Sequence, residues 1–375
     1  MNFQKIKKIF LAMGGNRSVV NQWMFPHFIS ELDRYGVAFE VFNIDEARDE
    51  NPEEALLKMI DHSKEEISLF MTFLPDQRLS VDTIKAIKKK GIPTLLFCND
   101  NLSIPYDHQN IAPWFDLVWL TSGETMHLFR KWGAKTIFLP YAANPFRFLP
   151  SEGPEVPCIG FIGSIYGARS YKIKYLIDHN LPVQVCSNQK NIQEALTQAP
   201  SKKISFSSRI SKELQNDLQL LSFKEGRVLL KGNLTKAYKK RFETKFVFDD
   251  YIKSGAVSFE EMSRLYSGFA LSLGIIEVWN TYLLKKPLYK IHLRTFEIPM
   301  CGGLQITSRT PEIQQYFEEG KEIILYGSKE EMIDRMKFYL KDENEELRRK
   351  MKQAARIRAE EEHCWLKRFQ KVEQA

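Results

Sequence analysis

The chain has 375 residues, 43% of them hydrophobic and 27% charged, with a formal net charge of +7. That length suits two domains, each able to bury its own core. The modest positive balance favours an anionic small molecule or an anionic membrane face, and no Lys/Arg block is interleaved with aromatics as a nucleic-acid surface would require.

Five cysteines (Cys98, Cys158, Cys186, Cys301 and Cys364) are scattered and form no Cys-x-x-Cys pair. They read as free thiols in a reducing cytoplasm and give no structural zinc site. The apolar run after the first lysines is too short for a secretory leader and suits a first strand. No segment has the ~18 apolar residues of a membrane span. The expected location is cytoplasmic, either free or peripheral on the inner membrane face.

In chain order, Lys8–Met13 reads as a buried strand closed by Gly14-Gly15-Asn16. A helical pattern covers Asn21–Tyr35, a strand Val37–Ile44, a helix Pro52–Ser63 and a strand Ile67–Leu74. Val81–Lys90 is a helix stopped by Gly91; Thr94–Cys98 is a strand ending in Asn99-Asp100-Asn101. Leu117–Leu120, Glu124–Trp132 and Thr136–Leu139 continue as strand, helix, strand. Strand–helix alternation at this spacing is the pattern of a doubly wound parallel sheet.

Prolines crowd residues 145–157, where a linker is expected. The same architecture then restarts, with a strand over Cys158–Ile162, a glycine-rich turn through Arg169, a helix to His179 and a strand over Val183–Cys186. Residues 190–250 are basic, show helical patterning over Leu214–Leu221 and Leu234–Phe246, and read as an insertion. Alternation resumes with Ala256-Val257-Ser258, a helix over Phe259–Tyr266 and a strand over Phe269–Leu273. Leu304–Thr307 and Glu322–Tyr326 are the last strands. Ser328-x-x-Glu331 is a capping box that opens a long helical C-terminus. The expected fold is α/β, two facing Rossmann-like domains with parallel sheets and a C-terminal helical region. Residues 1–145 form the first domain, 146–157 the linker and 158–360 the second domain. The helix 361–375 is placed back on the first domain.

Open parallel sheets bind ligands beyond the carboxyl ends of their strands, so the turns there are the candidate sites. Gly160-x-x-Gly163-x-x-x-Gly167 with Ser164 and Arg169 follows a strand and opens a helix, a context that suits a phosphate. Its spacing is not the dinucleotide fingerprint, and a plain glycine-rich turn with a surface arginine is the competing reading. Arg294 and Glu297 lie three apart on one helical face. They form either an ordinary ion pair or a pair that takes a diphosphate and the two hydroxyls of a ribose. Cys301-Gly302-Gly303 is a small-residue turn against which a ligand could lie. Asp100 at a strand end suits a general base toward an acceptor hydroxyl, or simply stops the strand in an Asx turn. Gly14, Gly15, Asn16 and Asn101 share that rim as acceptor or cleft candidates. His127 reads as structural and His292 as a cap. No His/Asp/Glu cluster has metal spacing and no Asp-x-Asp is placed to hold a metal-bound diphosphate, so no cofactor or metal is expected.

Glu297-Ile-Pro-Met-Cys-Gly resembles the Glu-Ala-Met-Ala-Cys-Gly segment of retaining glycosyltransferases with the two-Rossmann (GT-B) fold. More closely, Arg294-Thr-Phe-Glu-Ile-Pro-Met-Cys-Gly-Gly303, Pro311-Glu312, Tyr316-Phe317, Gly320-Lys-Glu-Ile and Tyr326 resemble the CgeB-like (spore maturation protein type) glycosyltransferases. Phe161–Arg169 is similar to the opening of that family's second domain, and Leu139–Phe148 to its interdomain crossing. The likeness covers roughly residues 94–345 and is strongest over 292–326.

The resemblance implies a metal-independent enzyme of cell-envelope or spore polysaccharide synthesis. It would move a sugar from a UDP- or GDP-type donor to a glycan, lipid or protein acceptor. Glu297 would hold the donor ribose; Arg169 and Arg294 would meet the diphosphate, with Arg294 stabilising the leaving group. Gly302 and Gly303 would pass close to the donor, Val257 and Ser258 would approach the base, and Gly163, Ser164, Cys301 and Glu312 would complete that side. The broader retaining group has a second acid eight positions before the glutamate. Here that position is Tyr289, so the stereochemical course does not carry over. Two other readings of the fold are a nucleotide-sugar epimerase and a non-catalytic nucleotide-binding protein. The basic insertion is either a solvated helical face or a contact with an anionic membrane.

Overall fold

The structure, a computed structural model, describes residues 5–15, 20–47, 51–187, 217–239, 251–255 and 257–375. It divides into two compact units, Met1–Phe146 with His363–Ala375, and Arg147–Glu362.

The first unit holds six parallel strands: β1 (Lys8–Met13), β2 (Ala38–Asn43), β3 (Leu69–Thr72), β4 (Thr94–Cys98), β5 (Leu117–Leu120) and β6 (Thr136–Phe138). Their order is β2-β1-β3-β4-β5-β6. The central strands are buried along their length and mostly apolar, with Lys8, Thr72 and Thr94 the exceptions at strand ends, as in sheets covered on both faces. Alternate side chains therefore serve two cores. Phe10, Phe70, Leu96, Val118 and Leu120 pack with Leu56, Ile84 and Phe129 on one face. On the other face Phe97 meets Trp119 edge-on at 4.4 Å between ring centroids.

That second face is closed by the end of the chain. In the helix Trp365–Gln374, Trp365 lies 5.7 Å from Phe28 and Phe369 lies 5.5 Å from Trp119, measured between ring centroids. Buried polar contacts fix its angle. Leu366 N–H donates to Glu31 Oε1 at 2.7 Å, and Arg368 donates to the carbonyls of Pro140 and Tyr141 at 3.0 and 3.1 Å.

The second unit carries β7 (Val156–Ile162), β8 (Val183–Cys186), β9 (Ile252–Ser254), β10 (Phe269–Leu273), β11 (Gln305–Ser308) and β12 (Ile324–Tyr326). They are all parallel, in the order β12-β11-β10-β7-β8-β9. The chain winds outward from β7 through β8 to β9, then returns to β10 on β7's other side and winds the opposite way. The strand order thus reverses between β7 and β10, which leaves a crevice beyond their carboxyl ends. The core beneath unites Ile159, Phe161, Leu271, Leu273, Ile306 and Ile324 with Ile173, Met332 and Met336.

Local boundaries agree closely with the sequence where a cap or glycine sets them. Gly91 ends its helix at φ +78, and Ser328 caps Lys329–Tyr339 by accepting from Glu331 N–H. The segment over 256–258 departs from expectation. The strand is Ile252–Ser254, and Ser258 instead caps the helix Phe259–Gly268, its hydroxyl accepting from Glu261 N–H at 3.2 Å. A serine three before a glutamate competes well as a cap, and the expectation missed that signal. The helical patterns over Leu214–Leu221 and Leu234–Phe246 lie partly outside the described residues; a helix spans Lys224–Lys239.

Candidate functional site

The crevice between β7 and β10 collects the second unit's charged candidates. Arg294 opens the helix Arg294–Met300, which connects β10 to β11. Its guanidinium occupies the volume that a Cβ on Gly163 would fill, so the residue just beyond β7 and the helix beyond β10 meet face to face. The guanidinium also stands over the Phe161 ring at 5.7 Å. Arg169, in the first turn of the helix Ala168–Asp178, lies over the Tyr166 ring at 4.5 Å and donates to the Ser164 carbonyl at 3.2 Å.

These groups act on one another. Burial, then the charge of Arg294, lowers the Arg169 pKa to about 10. Burial and the charges of Lys290, Arg169 and Arg294 hold His292 down to about 3, so it is neutral at physiological pH. Glu297 is only 6% exposed. Burial raises its pKa to about 7, against the opposing pull of Arg294. Two arginines and Lys290 thus crowd one partly dehydrated place beside a single carboxyl that holds its proton up to neutral pH. Like charges so placed favour a polyvalent anion, whose arrival removes their repulsion.

The glycine turn works differently from expectation. Gly160 lies inside β7, where any side chain would collide with the Phe269 ring. Gly163, at φ +138, donates its N–H to Cys186 O at 2.8 Å. Gly167, at φ +53, admits the Trp279 carbonyl, which would stand 2.7 Å from an added Cβ. That carbonyl accepts from Ala168 N–H at 3.3 Å, and Arg169 N–H bonds to Tyr166 O at 3.1 Å. Backbone donors counted on for a phosphate are therefore used inside the fold, and the glycines serve close packing. The charge for an anion comes from the guanidinium groups.

The remaining candidates fall in separate places. Cys301 is buried, with Ser263 Oγ at 3.4 Å from its thiol, and caps the far end of the helix from Arg294. A side chain at Gly302 would meet Pro150 at 3.2 Å, and one at Gly303 the Tyr266 carbonyl at 2.8 Å. That turn is a packing joint against the helix Phe259–Gly268. Val257 is half-buried beside the exposed cap Ser258. Glu312, half-buried, accepts from Tyr316 Oη at 3.4 Å beyond β11.

In the first unit Asp100 is exposed beyond β4, and its carbonyl accepts from Ser103 and Ile104 N–H. Asn101 is buried and committed. Its Nδ2 donates to Ser122 O and Thr125 Oγ1 at 2.7 and 2.6 Å, while its Oδ1 accepts from Thr121 and Ser122 N–H at 3.1 Å each. Its assignment to a substrate is corrected to that of a clamp on the loop after β5. Gly14 lies under Arg78, whose Nη1 would be 2.6 Å from an added Cβ. Gly15 N–H donates to Asp45, which is also held by Arg78. Asp45 and Arg78 line a pocket of about 480 Å³ with Glu53, Asp76 and Ser80. Asn16 lies outside the described residues. His127 is exposed, its Nδ1 2.9 Å from Glu124 O.

Sequence reasoning missed a buried ion pair one turn along from Arg169. Lys172 Nζ bonds to the Glu277 carboxylate, to Ser308 Oγ at 3.0 Å and to Tyr326 Oη at 2.6 Å; the two charged side chains are 7% and 6% exposed. Ser308 Oγ also donates to Glu277 at 2.6 Å. The i,i+3 spacing of Arg169 and Lys172 was the available signal, but a lysine on a helix reads as solvated until its partner strand is known. Glu277 pairs through its backbone with Tyr289. An acid thus stands across from the position where the broader retaining pattern has one and this chain has tyrosine.

Among the described residues, no group of three or more His, Cys, Asp or Glu could hold a metal ion, and no helix is long and apolar enough to cross a membrane.

Residues 212–374 match a family described as glycosyl transferase-like. No curated protein matches the chain. Among solved structures, HepE from Anabaena in complex with UDP and glucose shares 11% identity over 98% of each chain, with a TM-score of 0.55. Sucrose-phosphate synthase from Thermosynechococcus elongatus shares 13% identity over 98% of each chain, at 0.54. A glycosyltransferase from Rickettsia africae shares 11% over 99% of this chain and 98% of its own, at 0.54. The fold is that of the two-Rossmann, GT-B type, and the stretch 212–374 is similar to a glycosyl transferase-like family. The glycosyl transferase-like portion includes the Arg294–Glu297 wall of the crevice and runs on through the helix that joins the first unit.

Proposed function

We propose that the chain transfers a sugar from a nucleoside diphosphate sugar to a glycan, lipid or protein acceptor, in the manner of the CgeB-like family and in the service of surface or spore polysaccharide synthesis. The observation that carries this reading is the crowding of Arg169 and Arg294 at Gly163, with Glu297 one helical turn behind Arg294. The two guanidinium groups hold the diphosphate, and Glu297 accepts from the paired ribose hydroxyls. As the bond between sugar and diphosphate breaks, negative charge grows on the leaving phosphate, and Arg294 stabilises it in place. Asp100, exposed beyond β4, takes the proton of the acceptor hydroxyl. HepE, whose structure holds UDP and glucose, supports a uridine donor.

Isothermal titration of UDP, GDP and their glucose conjugates tests the donor side. Binding is expected in the parent and lost in Glu297→Ala with the fold retained; a parent that binds no nucleotide would end the proposal. Slow donor hydrolysis should accompany binding. Conversion of the donor to a sugar epimer instead would favour an epimerase, and binding without turnover a non-catalytic protein. The helix Lys224–Lys239 exposes Leu234 and Tyr238 at 71% and 64% alongside Arg227 and Lys231. Peripheral contact with an anionic membrane is proposed for this face, and co-sedimentation with phosphatidylglycerol vesicles checks it.

A further inference from the structure

Trp279 has a backbone that tryptophan disfavours and a side chain that is only partly covered. Its φ is +46, and the only other described non-glycine residue with positive φ is Asn180. For a bulky residue that conformation is a strained outlier, and glycine or asparagine would adopt it more easily. A tryptophan can repay such strain by burying its ring, yet this one is 40% exposed. Among the described residues its indole has no ring contact and no hydrogen bond.

The loop around it is pinned on every side. Glu277 is held by Lys172, and Val278 N–H donates to Leu288 O at 2.9 Å. The Trp279 carbonyl accepts from Ala168 N–H at 3.3 Å, and Asn280 Nδ2 donates to Asn233 Oδ1 at 3.0 Å. Thr281 Oγ1 donates to Val278 O at 2.7 Å. The conformation is thus imposed by its surroundings, as strained residues at ligand clamps are.

Its place gives the strain a purpose. The glycine turn after β7 has two ends. Arg294, with Glu297 behind it, meets Gly163 at one end; the Trp279 carbonyl meets Gly167 at the other. Arg169 lies just beyond Gly167. If Glu297 takes the ribose, as proposed above, the nucleoside lies toward the first end, and the sugar on the far side of the diphosphate lies toward the second.

We propose that Trp279 is the platform for the transferred sugar, its indole face stacking on the C–H face of the pyranose next to the diphosphate. This rests on the donor-binding reading and adds the residue that recognises the sugar moiety. An indole offers a broad apolar face at small entropic cost, and its N–H can reach a ring hydroxyl.

The test is titration of UDP, GDP, ADP and dTDP, each with and without glucose attached, against the parent, Trp279→Asn and Trp279→Phe. The expected result is that one nucleotide binds the parent, and that its glucose conjugate binds more tightly than the bare diphosphate. Asparagine should remove that gain, an effect of about tenfold, and leave the bare nucleotide's affinity unchanged. Phenylalanine should restore most of it. Because asparagine tolerates the left-handed backbone, its melting temperature should equal or exceed the parent's, which a tryptophan of structural importance would not allow. Unchanged conjugate binding in Trp279→Asn overturns the proposal while leaving donor binding standing. So does equal loss for conjugate and bare nucleotide, which would assign the indole to the base. A parent that binds no nucleotide overturns both.

Discussion

The guanidinium of Arg294 fills the space that a Cβ on Gly163 would need, so the turn after β7 and the helix after β10 can meet only because position 163 lacks a side chain. At φ +138 the backbone also disfavours any other residue. Gly163→Ala is expected to displace Arg294, weaken nucleotide binding by about tenfold or more, and cost about 1–3 kcal/mol of stability. Titration calorimetry and urea unfolding read the two effects separately.

Glu297 should make nucleotide binding depend on pH. Burial raises its pKa to about 7 from the ordinary 4.5. If the ribose hydroxyls need the carboxylate, affinity should fall about tenfold per pH unit below 7 and level off above it. Glu297→Gln should flatten that profile. The same shift bears on stability with the opposite sense. A raised carboxyl pKa contributes stability that is full below pH 4.5 and lost as pH rises through 7, so the ionised form that binds best is the less stable one. Titrations at pH 6, 7 and 8 with parallel melting curves check both directions.

Glu31 gives a second pH prediction, in the first unit. Burial raises its pKa to about 8, opposed first by the hydrogen bond from Leu366 N–H. Its contribution is complete below pH 4.5 and falls as pH rises through 8, by on the order of 5 kcal/mol. The parent's melting temperature should decline across that window more steeply than that of Glu31→Gln, which stays neutral throughout. Equal slopes in the two proteins would contradict it.

Removing Lys172 should be far worse than removing the pair. Lys172→Met leaves Glu277 charged and buried, at a cost of about 3–5 kcal/mol. Lys172→Met with Glu277→Leu should recover a large part of it. Urea unfolding of the single and double variants decides this. The network joins the helix Ala168–Asp178, one turn beyond Arg169, to β11 and β12, so the single variant should also loosen Arg169.

Much of the fold was legible in the chain. Thr94–Cys98, Leu117–Leu120, Val183–Cys186 and Phe269–Leu273 stand as strands with the bounds their mostly apolar runs suggested, because strands covered on both faces are predominantly apolar. Alternation of strand and helix then leaves only parallel, right-handed winding. The strand Ile252–Ser254 was not legible. It is three residues long, and the capping serine beyond it drew the reading four residues downstream.

The site was legible as a set of residues and illegible as an arrangement. Arg169, Arg294 and Glu297 announced themselves by charge beside glycine. Neither the use of the turn's N–H groups by Cys186, Tyr166 and Trp279 nor the closing of Asn101 on Ser122 and Thr125 can be inferred from spacing, since nearly every partner lies on another element.

By itself, then, the sequence determined the two parallel sheets and the arginine-rich turn, through local periodicity, capping and composition acting over a few neighbouring residues. Only the tertiary structure decided that Gly163 makes room for Arg294, that Lys172 is buried on Glu277, and that Trp279 stands exposed beside the turn that carries Arg169. Those relationships join residues from 105 to 131 positions apart. They depend on strand order and close packing, which a local pattern does not contain.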